Sequence, residues 1–223
     1  MTHDTNRIFE EELRQAYYLL EEGCVPRQID DAMQAFGCAM GPLRVMDLVG
    51  GDIARNIRQR RAIEQPDRPC SAIPDMICAM GRYGQKTKAG YYLYIKEAPR
   101  GLRDPEIEAM IVAHSRTLGV ERREIGPAEI VERLHLAMIN EAANMLEEGI
   151  VRRPSDIDAI CVKSHGFPAA KGGPMFQADL IGIPGIIERI RHYRQGYQGW
   201  AWQVAPLLLD LAARGAALSS LNG

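Results

Sequence analysis

An internal repeat constrains this 223-residue chain more than any other feature of its sequence. The segment RIFEEELRQAYYLLEEG, residues 7–23, aligns without a gap with RLHLAMINEAANMLEEG, residues 133–149. Both segments begin with arginine, keep an alanine in the middle and end in Leu-Glu-Glu-Gly. Two matching segments in one chain predict two copies of the same supersecondary unit.

The repeat continues downstream in the same order. Ile29-Asp30 returns as Ile157-Asp158, and a Gly-Pro pair is followed at unchanged spacing by Asp and then Gly. The residues of this second block are Gly41, Pro42, Asp47 and Gly50 in the first copy, and Gly173, Pro174, Asp179 and Gly182 in the second. We therefore divide the chain into two homologous modules, residues 1–98 and 99–223.

Apolar residues recur at helical spacing in both copies, which predicts an all-α protein. We expect helices over about residues 7–23 and 26–36, from the Gly-Pro onward, and over about 105–118, 183–193 and 200–213. Between the repeated blocks of the two modules, GRYGQKTKAGYYLYI at 81–95 predicts a glycine-rich turn and a short strand. Residues 99–101 are expected to be a linker, and residues 215–223 a frayed end.

The composition indicates an ordinary globular protein, because hydrophobic residues make up 46% and charged residues 25% of the chain. A net charge of -2 favours neither nucleic acid nor an anionic membrane as a partner. The sequence has a polar start, no apolar run of about 20 residues and no C-terminal peroxisomal tripeptide. We therefore expect a cytoplasmic location.

Sites for metals and nucleotides are not indicated by the sequence. The five cysteines form no Cys-x-x-Cys pair and the five histidines are scattered, so we expect buried thiols and no metal site. A dinucleotide normally requires G-x-G-x-x-G between a strand and a helix, and the chain has no such segment. We expect this chain to bind no cofactor itself.

Several carboxylates could carry acid-base chemistry. Adjacent glutamates point about 100° apart on a helix, so we interpret Glu21-Glu22 and Glu147-Glu148 as solvated helix ends. The repeated Asp47 and Asp179 could each be an active-site acid or a brace for a neighbouring loop. We favour the brace, because both copies keep the aspartate although they differ elsewhere.

Two further candidates are polar groups in the first module. Asn6 precedes the first long helix and could be its N-cap or could face a ligand, while the second module has Glu132 at that place. Lys86 and Lys88 lie around a tight turn, where they could be exposed hairpin residues or could meet anionic phosphates such as those of coenzyme A. Residues alone favour the N-cap and the exposed hairpin.

Taken together, these motifs resemble a known family. Asn6-Arg7-Ile8, the LLEEG helix end, the Gly41-Pro42 block and GRYGQKTKAGYYLY are similar to the C-terminal domain of 3-hydroxyacyl-CoA dehydrogenases. The second copy, with EAANMLEEG, SDIDAI and GFPAAKGGPMFQAD, resembles the distal repeat of multifunctional fatty acid oxidation enzymes. The resemblance implies the helical fold of the 6-phosphogluconate dehydrogenase C-terminal type.

The resemblance also implies a function. Family members oxidise a 3-hydroxyacyl-CoA to a 3-ketoacyl-CoA with NAD in fatty acid β-oxidation, and a His-Glu pair and the NAD site lie in a nucleotide-binding domain that this sequence lacks. Asn6 is the residue that maps onto the family's active site, so the resemblance favours Asn6 as a substrate-binding residue over an N-cap. Two departures are Cys38-Ala39, in place of an aromatic residue and proline, and Lys88, where glycine is common.

We thus expect the substrate-binding and assembly region of a 3-hydroxyacyl-CoA dehydrogenase, inactive alone, with an enoyl-CoA hydratase domain further upstream. Its expected partners are the acyl-CoA substrate, the nucleotide-binding domain, and either the second repeat packed on the first or another copy of the chain. The rival hypothesis is a non-catalytic helical interaction domain that contributes nothing to the substrate pocket.

Overall fold

The computed structural model describes residues 6–64, 66 and 68–223. The described chain is mainly helical. In chain order its helices are α1 Asn6–Glu22, α2 Pro26–Phe36, α3 Pro42–Val49, α4 Gly51–Glu64, α5 Ile73–Ala79, α6 Pro105–Thr117, α7 Pro127–Glu147, α8 Pro154–Ser164, α9 Pro174–Ile181, α10 Ile183–Tyr193 and α11 Pro206–Arg214. Strands β1 Leu93–Ile95 and β2 Ala98–Leu102 form one antiparallel pair. The predicted all-α class is confirmed.

Proline begins many of these helices. It is the first residue of α2, α3, α6, α7, α8, α9 and α11. Proline suits this position because the first backbone N–H of a helix has no acceptor within the helix, and because its fixed φ is already helical. These prolines are the reason why the start of α2 could be predicted to the residue.

The chain divides into two compact units. The N-terminal unit comprises Ala16–Ala35 and Met40–Ile130, and the C-terminal unit comprises Met1–Gln15, Phe36–Ala39 and Val131–Gly223. Helices α1 and α7 each contribute residues to both units. These units are defined by contacts and the modules 1–98 and 99–223 by sequence repetition, so the module boundaries stay a prediction.

The N-terminal unit carries the β-hairpin. Leu93 pairs with Leu102 and Ile95 with Ala98, so residues 99–101 lie inside β2. The predicted linker is therefore wrong, and the predicted strand at the end of the 81–95 segment is confirmed. Three tyrosines next to or in β1, at positions 91, 92 and 94, are buried among the helices of this unit.

The C-terminal unit has an apolar core built on α7. Ile8 of α1 packs into it with residues of α7 to α11, and Trp202 is its largest buried side chain. Leu218 starts a short 3-10 helix, Leu218–Asn222, and is fully buried. The frayed end predicted for residues 215–223 is therefore wrong, since this segment packs against the core. In the described part of the chain, no helix is both long and apolar enough to cross a membrane.

Candidate functional site

Asp30 and Asp158 hold the Gly-Pro helix of their own repeat by its N-terminus. Asp30 accepts backbone N–H bonds from Leu43 and Arg44 of α3, at 3.0 Å and 3.1 Å. In the second repeat, Asp158 accepts from the second and third residues of α9, at 2.7 Å and 3.1 Å. The first N–H groups of a helix have no intrahelical acceptor, and a carboxylate satisfies two of them. The Ile-Asp repeat is thus a helix clamp.

Asp47 and Asp179 make a second repeated pair of contacts at the ends of the same helices. The Asp47 carboxylate accepts backbone N–H bonds from Tyr91 and Tyr92, at 3.0 Å and 3.1 Å. Asp179 accepts from Leu218 and from the next residue, at 2.7 Å and 2.9 Å. Each aspartate therefore ties α3 or α9 to the segment that closes its own repeat.

The aspartates of the first repeat also receive tyrosine hydroxyls. Tyr92 donates its hydroxyl to Asp30 at 2.6 Å, and Tyr94 donates to Asp47 at 3.0 Å. Burial raises the pKa of each carboxyl to about 6, although the hydrogen bonds favour the charged form. Each carboxylate accepts three hydrogen bonds from backbone or tyrosine donors, which is the environment of a structural group.

Asn6 is the first residue of α1 and is half-buried. The predicted N-cap position thus lies inside the helix as the structure has it. Next to it, Arg7 donates from Nε to Glu141 at 2.6 Å and from both terminal nitrogens to Glu148, at 2.5 Å and 3.0 Å. Both carboxylates belong to the segment in the second repeat that aligns with α1. The start of α1 is therefore fixed by the second copy of its own motif.

Contacts between α1 and α7 within the C-terminal unit are reciprocal. The repeat equivalent of Arg7 is Arg133, and it donates to Gln15 at 3.1 Å, just as Arg7 donates to Glu141. Gln15 and Glu141 also occupy equivalent positions in the two copies. Each helix thus presents its first arginine to the same position of the other, which is the pattern of a two-fold symmetric interface.

Aromatic contacts between the two copies are reciprocal in the same way. Phe9 of the first copy stacks on His165 just after α8, with ring centroids 5.8 Å apart. Its repeat equivalent, His135, meets Phe36 at the end of α2, at 5.4 Å. His135 is buried, and burial together with the nearby Lys171 charge lowers its pKa to about 4.

Glu132 takes the place of Asn6 in the second copy, and its surroundings differ from those of Asn6. It lies well inside α7, and its carboxylate is 3.8 Å from Arg189 of α10. The two equivalent positions therefore carry different chemistry, a neutral amide at the start of one helix and an ion-paired carboxylate within the other.

Lys86 and Lys88 lie in the N-terminal unit, so they belong to a different compact unit from Asn6. Lys86 pairs with Asp52 at the start of α4 and lies 5.9 Å from the Tyr83 ring. Lys88 is exposed and has a left-handed backbone with φ of 59°. The turn that carries these lysines is a 3-10 helix, Gln85–Thr87, ahead of the strand.

The interpretation of Glu21 and Glu22 as solvated is wrong. Both are buried, with His114 lying 3.5 Å from Glu21 and Arg123 lying 3.2 Å from Glu22. The equivalent Glu147 and Glu148 are exposed, as predicted. His114 and Arg123, which cover the first pair, come from the segment between the two repeats. Among the described residues, no corresponding segment follows the second pair.

The structure adds a functional candidate that the residue patterns did not single out, the side chain of Arg7. The available signal was that Arg7 and Arg133 are identical in the repeat, but identity alone does not tell which side chains they contact. In the part of the chain that the structure describes, no three or more His, Cys, Asp or Glu side chains are placed to hold a metal ion.

The sequence matches the family described as 3-hydroxyacyl-CoA dehydrogenase, C-terminal domain, over residues 4–94 and again over residues 130–218. The chain belongs to this family. The double match coincides with the two copies found in the sequence, and it accounts for most of the chain. The resemblance drawn from the motifs is thereby confirmed.

Curated relatives include peroxisomal bifunctional enzymes. The chain is 38% identical to the enzyme of Danio rerio and 36% identical to that of Homo sapiens, in each case over 94% of this chain. It is also 32% identical to a glyoxysomal fatty acid beta-oxidation multifunctional protein of Cucumis sativus. The chain spans about a third of the length of these relatives, 30% to 31%.

Solved structures of the family share the fold. The dehydrogenase part of a multifunctional enzyme from C. elegans matches 92% of the chain with a TM-score of 0.66 at 21% identity, covering 46% of that protein's chain. A 3-hydroxybutyryl-CoA dehydrogenase from Escherichia coli matches 94% of the chain with a TM-score of 0.68 at 18% identity, covering 59% of that chain. At these identities the likeness concerns the fold alone.

Proposed function

We propose that this chain is the substrate-binding and assembly region of an NAD-dependent 3-hydroxyacyl-CoA dehydrogenase of fatty acid β-oxidation. It acts together with a nucleotide-binding domain that supplies NAD and the catalytic His-Glu pair. The observation that carries the proposal is the family match over both repeats, in a sequence without a dinucleotide-binding motif.

The described residues do not fit a dinucleotide. Such cofactors bind where a parallel strand leads through a glycine-rich turn into a helix. The described strands β1 and β2 are an antiparallel hairpin, and the sequence has no G-x-G-x-x-G segment. In the proposed enzyme NAD is therefore held outside this chain, and the chemistry of hydride transfer is not assigned to any of its residues.

Asn6 is the proposed substrate-binding residue. Its carboxamide can donate a hydrogen bond to the thioester carbonyl or the hydroxyl oxygen of the substrate, and so orient it beside the catalytic histidine of the other domain. Its partial exposure supports this role, because Asn6 is half-buried and part of its side chain is open to a ligand. Lys86 and Lys88 are proposed to meet coenzyme A phosphates, with Lys88 the more available, since Lys86 is already paired with Asp52.

The four repeated aspartates are proposed to be braces in both copies. The described hydrogen bonds to these aspartates come from backbone N–H groups and tyrosine hydroxyls, and Arg44 lies 3.7 Å from Asp30. The helices that these carboxylates hold begin at Gly-Pro pairs. The same bracing role is therefore proposed for Gly41, Pro42, Gly173 and Pro174. This framework sets the shape of each repeat and does not itself touch the substrate.

The second repeat is proposed to take the place of a dimer partner. The support is the reciprocity between α1 and α7, in which Arg7 and Arg133 make equivalent contacts. A two-fold pattern made inside one chain leaves no need for a second chain at that surface. Sedimentation of the purified chain should then give a monomer mass, and a stable dimer would contradict this part of the proposal.

A matched pair of variants tests the substrate-binding role. In an enzyme that joins this chain to a nucleotide-binding domain of the family, Asn6→Ala should lower kcat by about 100-fold, the usual effect of losing one donor to a reacting oxygen. Glu132→Ala, at the repeat-equivalent position, should leave turnover unchanged. Equal rates for both variants would instead favour the rival hypothesis of a non-catalytic interaction domain.

A further inference from the structure

Arg7 holds the start of α1 through three hydrogen bonds to the second repeat. Its Nε meets Glu141, and its two terminal nitrogens form a fork on Glu148. The second oxygen of Glu141 accepts from Asn144 at 3.1 Å, so this carboxylate is itself held in one orientation. The Glu148 hydrogen bond is the largest of the effects that raise the pKa of Arg7 far above its usual range.

Asn6 and Arg7 lie in the first described turn of α1. Residues near the end of a helix are held less firmly than residues in its interior. A planar guanidinium that meets two carboxylates with three nitrogens allows little rotation, whereas a lysine ammonium would act as a single point charge. The backbone of the residue before it, Asn6, is therefore restrained as well.

We propose that Arg7 is a positioning residue for Asn6, through which the second repeat sets the geometry of the substrate-binding amide in the first. This inference rests on the proposed function of Asn6. It gives the second repeat a role in turnover beyond replacing a dimer partner, because Glu141 and Glu148 belong to that repeat while the amide they position belongs to the other. Neither carboxylate touches the substrate in this arrangement.

A double-mutant cycle tests the inference in the joined enzyme. Arg7→Ala should lower kcat by about 10-fold or more, since small misplacements of a catalytic group are costly. Combined with Asn6→Ala it should add no further loss, because an absent amide cannot be misplaced. Arg7→Lys should recover part of the rate, and KM for the acyl-CoA should change less than kcat in each Arg7 variant.

Two surface variants guard against a general loss of folding. Glu148→Gln weakens the fork at a residue that is exposed, and it should lower kcat in the same direction as Arg7→Ala. Arg153→Ala removes another arginine-carboxylate fork, on Asp156, and should leave kcat unchanged. Amide hydrogen exchange in the purified chain should be faster over residues 8–11 in Arg7→Ala and unchanged in Arg153→Ala.

The outcomes separate the two proposals. If Asn6→Ala slows the enzyme while Arg7→Ala does not, or if the two losses multiply, the positioning role is overturned and the role of Asn6 stands. If Asn6→Ala leaves the rate unchanged, the proposed function of Asn6 fails, and the positioning role fails with it. Loss in both single variants without further loss in the double variant supports both.

Discussion

A side chain at Gly41 would collide with Asp30. A Cβ built at Gly41 lies 2.2 Å from Oδ1 of Asp30, and one built at Gly173 lies 2.3 Å from Oδ1 of Asp158. The glycine before each proline is thus required by the aspartate that clamps the following helix. The same steric relationship in both copies explains why these two residue types occur together in each repeat.

Gly41→Ala should therefore destabilise the protein. Either the clamp or the helix start must shift to admit the methyl group, and overpacking of this kind costs about 1–3 kcal/mol. Gly126→Ala is the matched control, because a Cβ there meets nothing within 4 Å. Urea denaturation compares the two variants, and equal unfolding midpoints would show that Asp30 does not constrain position 41.

A pH effect is expected from His135. Its folded pKa of about 4 lies below the ordinary value of 6.5, because burial and the Lys171 charge disfavour the protonated ring. Neutral His135 thus contributes stability above pH 6.5. As the pH falls toward 4, up to about 3 kcal/mol of this stability is lost. The raised pKa values of Asp30 and Asp47 act in the opposite direction over this range.

Replacing His135 with phenylalanine isolates this effect from that of the aspartates. The buried Nε2 of His135 has no hydrogen-bond partner among the described residues, and the ring contacts Phe36 and Phe167, so the apolar ring should be accommodated. The stability of His135→Phe relative to the native chain should be greater at pH 5 than at pH 7.5. A stability difference that is the same at both pH values would contradict the assignment.

Two substitutions at Lys88 separate the effect of its backbone conformation from the effect of its charge. Lys88→Gly relieves a left-handed backbone that costs a side-chain residue about 1 kcal/mol, whereas Lys88→Ala does not. Both variants remove the charge. If Lys88 meets a coenzyme A phosphate, KM for the acyl-CoA should rise equally in both, while thermal unfolding shows a higher Tm for the glycine variant only. An unchanged KM in both variants would remove Lys88 from the substrate site.

The parts of the fold that were predictable from the sequence depend on local signals. Helices α2 and α10 begin and end where predicted, because a proline or glycine marks the start and an apolar stripe marks the length. The other predictable parts of the fold follow from the repeat, because a helical pattern that is weak in one copy is supported by the other copy.

The parts that were missed depend on contacts distant in sequence. Helix α4 is rich in arginine and has little apolar periodicity, and one of its arginines, Arg58, is held by Asp75 at 2.6 Å. Strand β2 contains a proline and a glycine, and its pairing with β1 overrides their low strand propensity. Glu21 is buried because His114 covers it, and no pattern around Glu21 predicts that contact.

The candidate site also contains one residue that could be proposed from the sequence and one that only the structure identifies. Asn6 could be proposed from the resemblance of its Asn-Arg motif to the family, whereas the residues alone favoured an N-cap. The role of Arg7 could not, since its partners Glu141 and Glu148 lie in the other copy and are identified only by geometry.

The most direct test of the account measures NADH formation from a 3-hydroxyacyl-CoA by three samples: the purified chain, a nucleotide-binding domain of the family, and the two joined in one protein. We predict no NADH from the chain alone, full turnover in the joined protein, and loss of that turnover on Asn6→Ala. Formation of NADH by the chain alone would contradict the claim that it is the substrate side of an enzyme whose cofactor is held elsewhere.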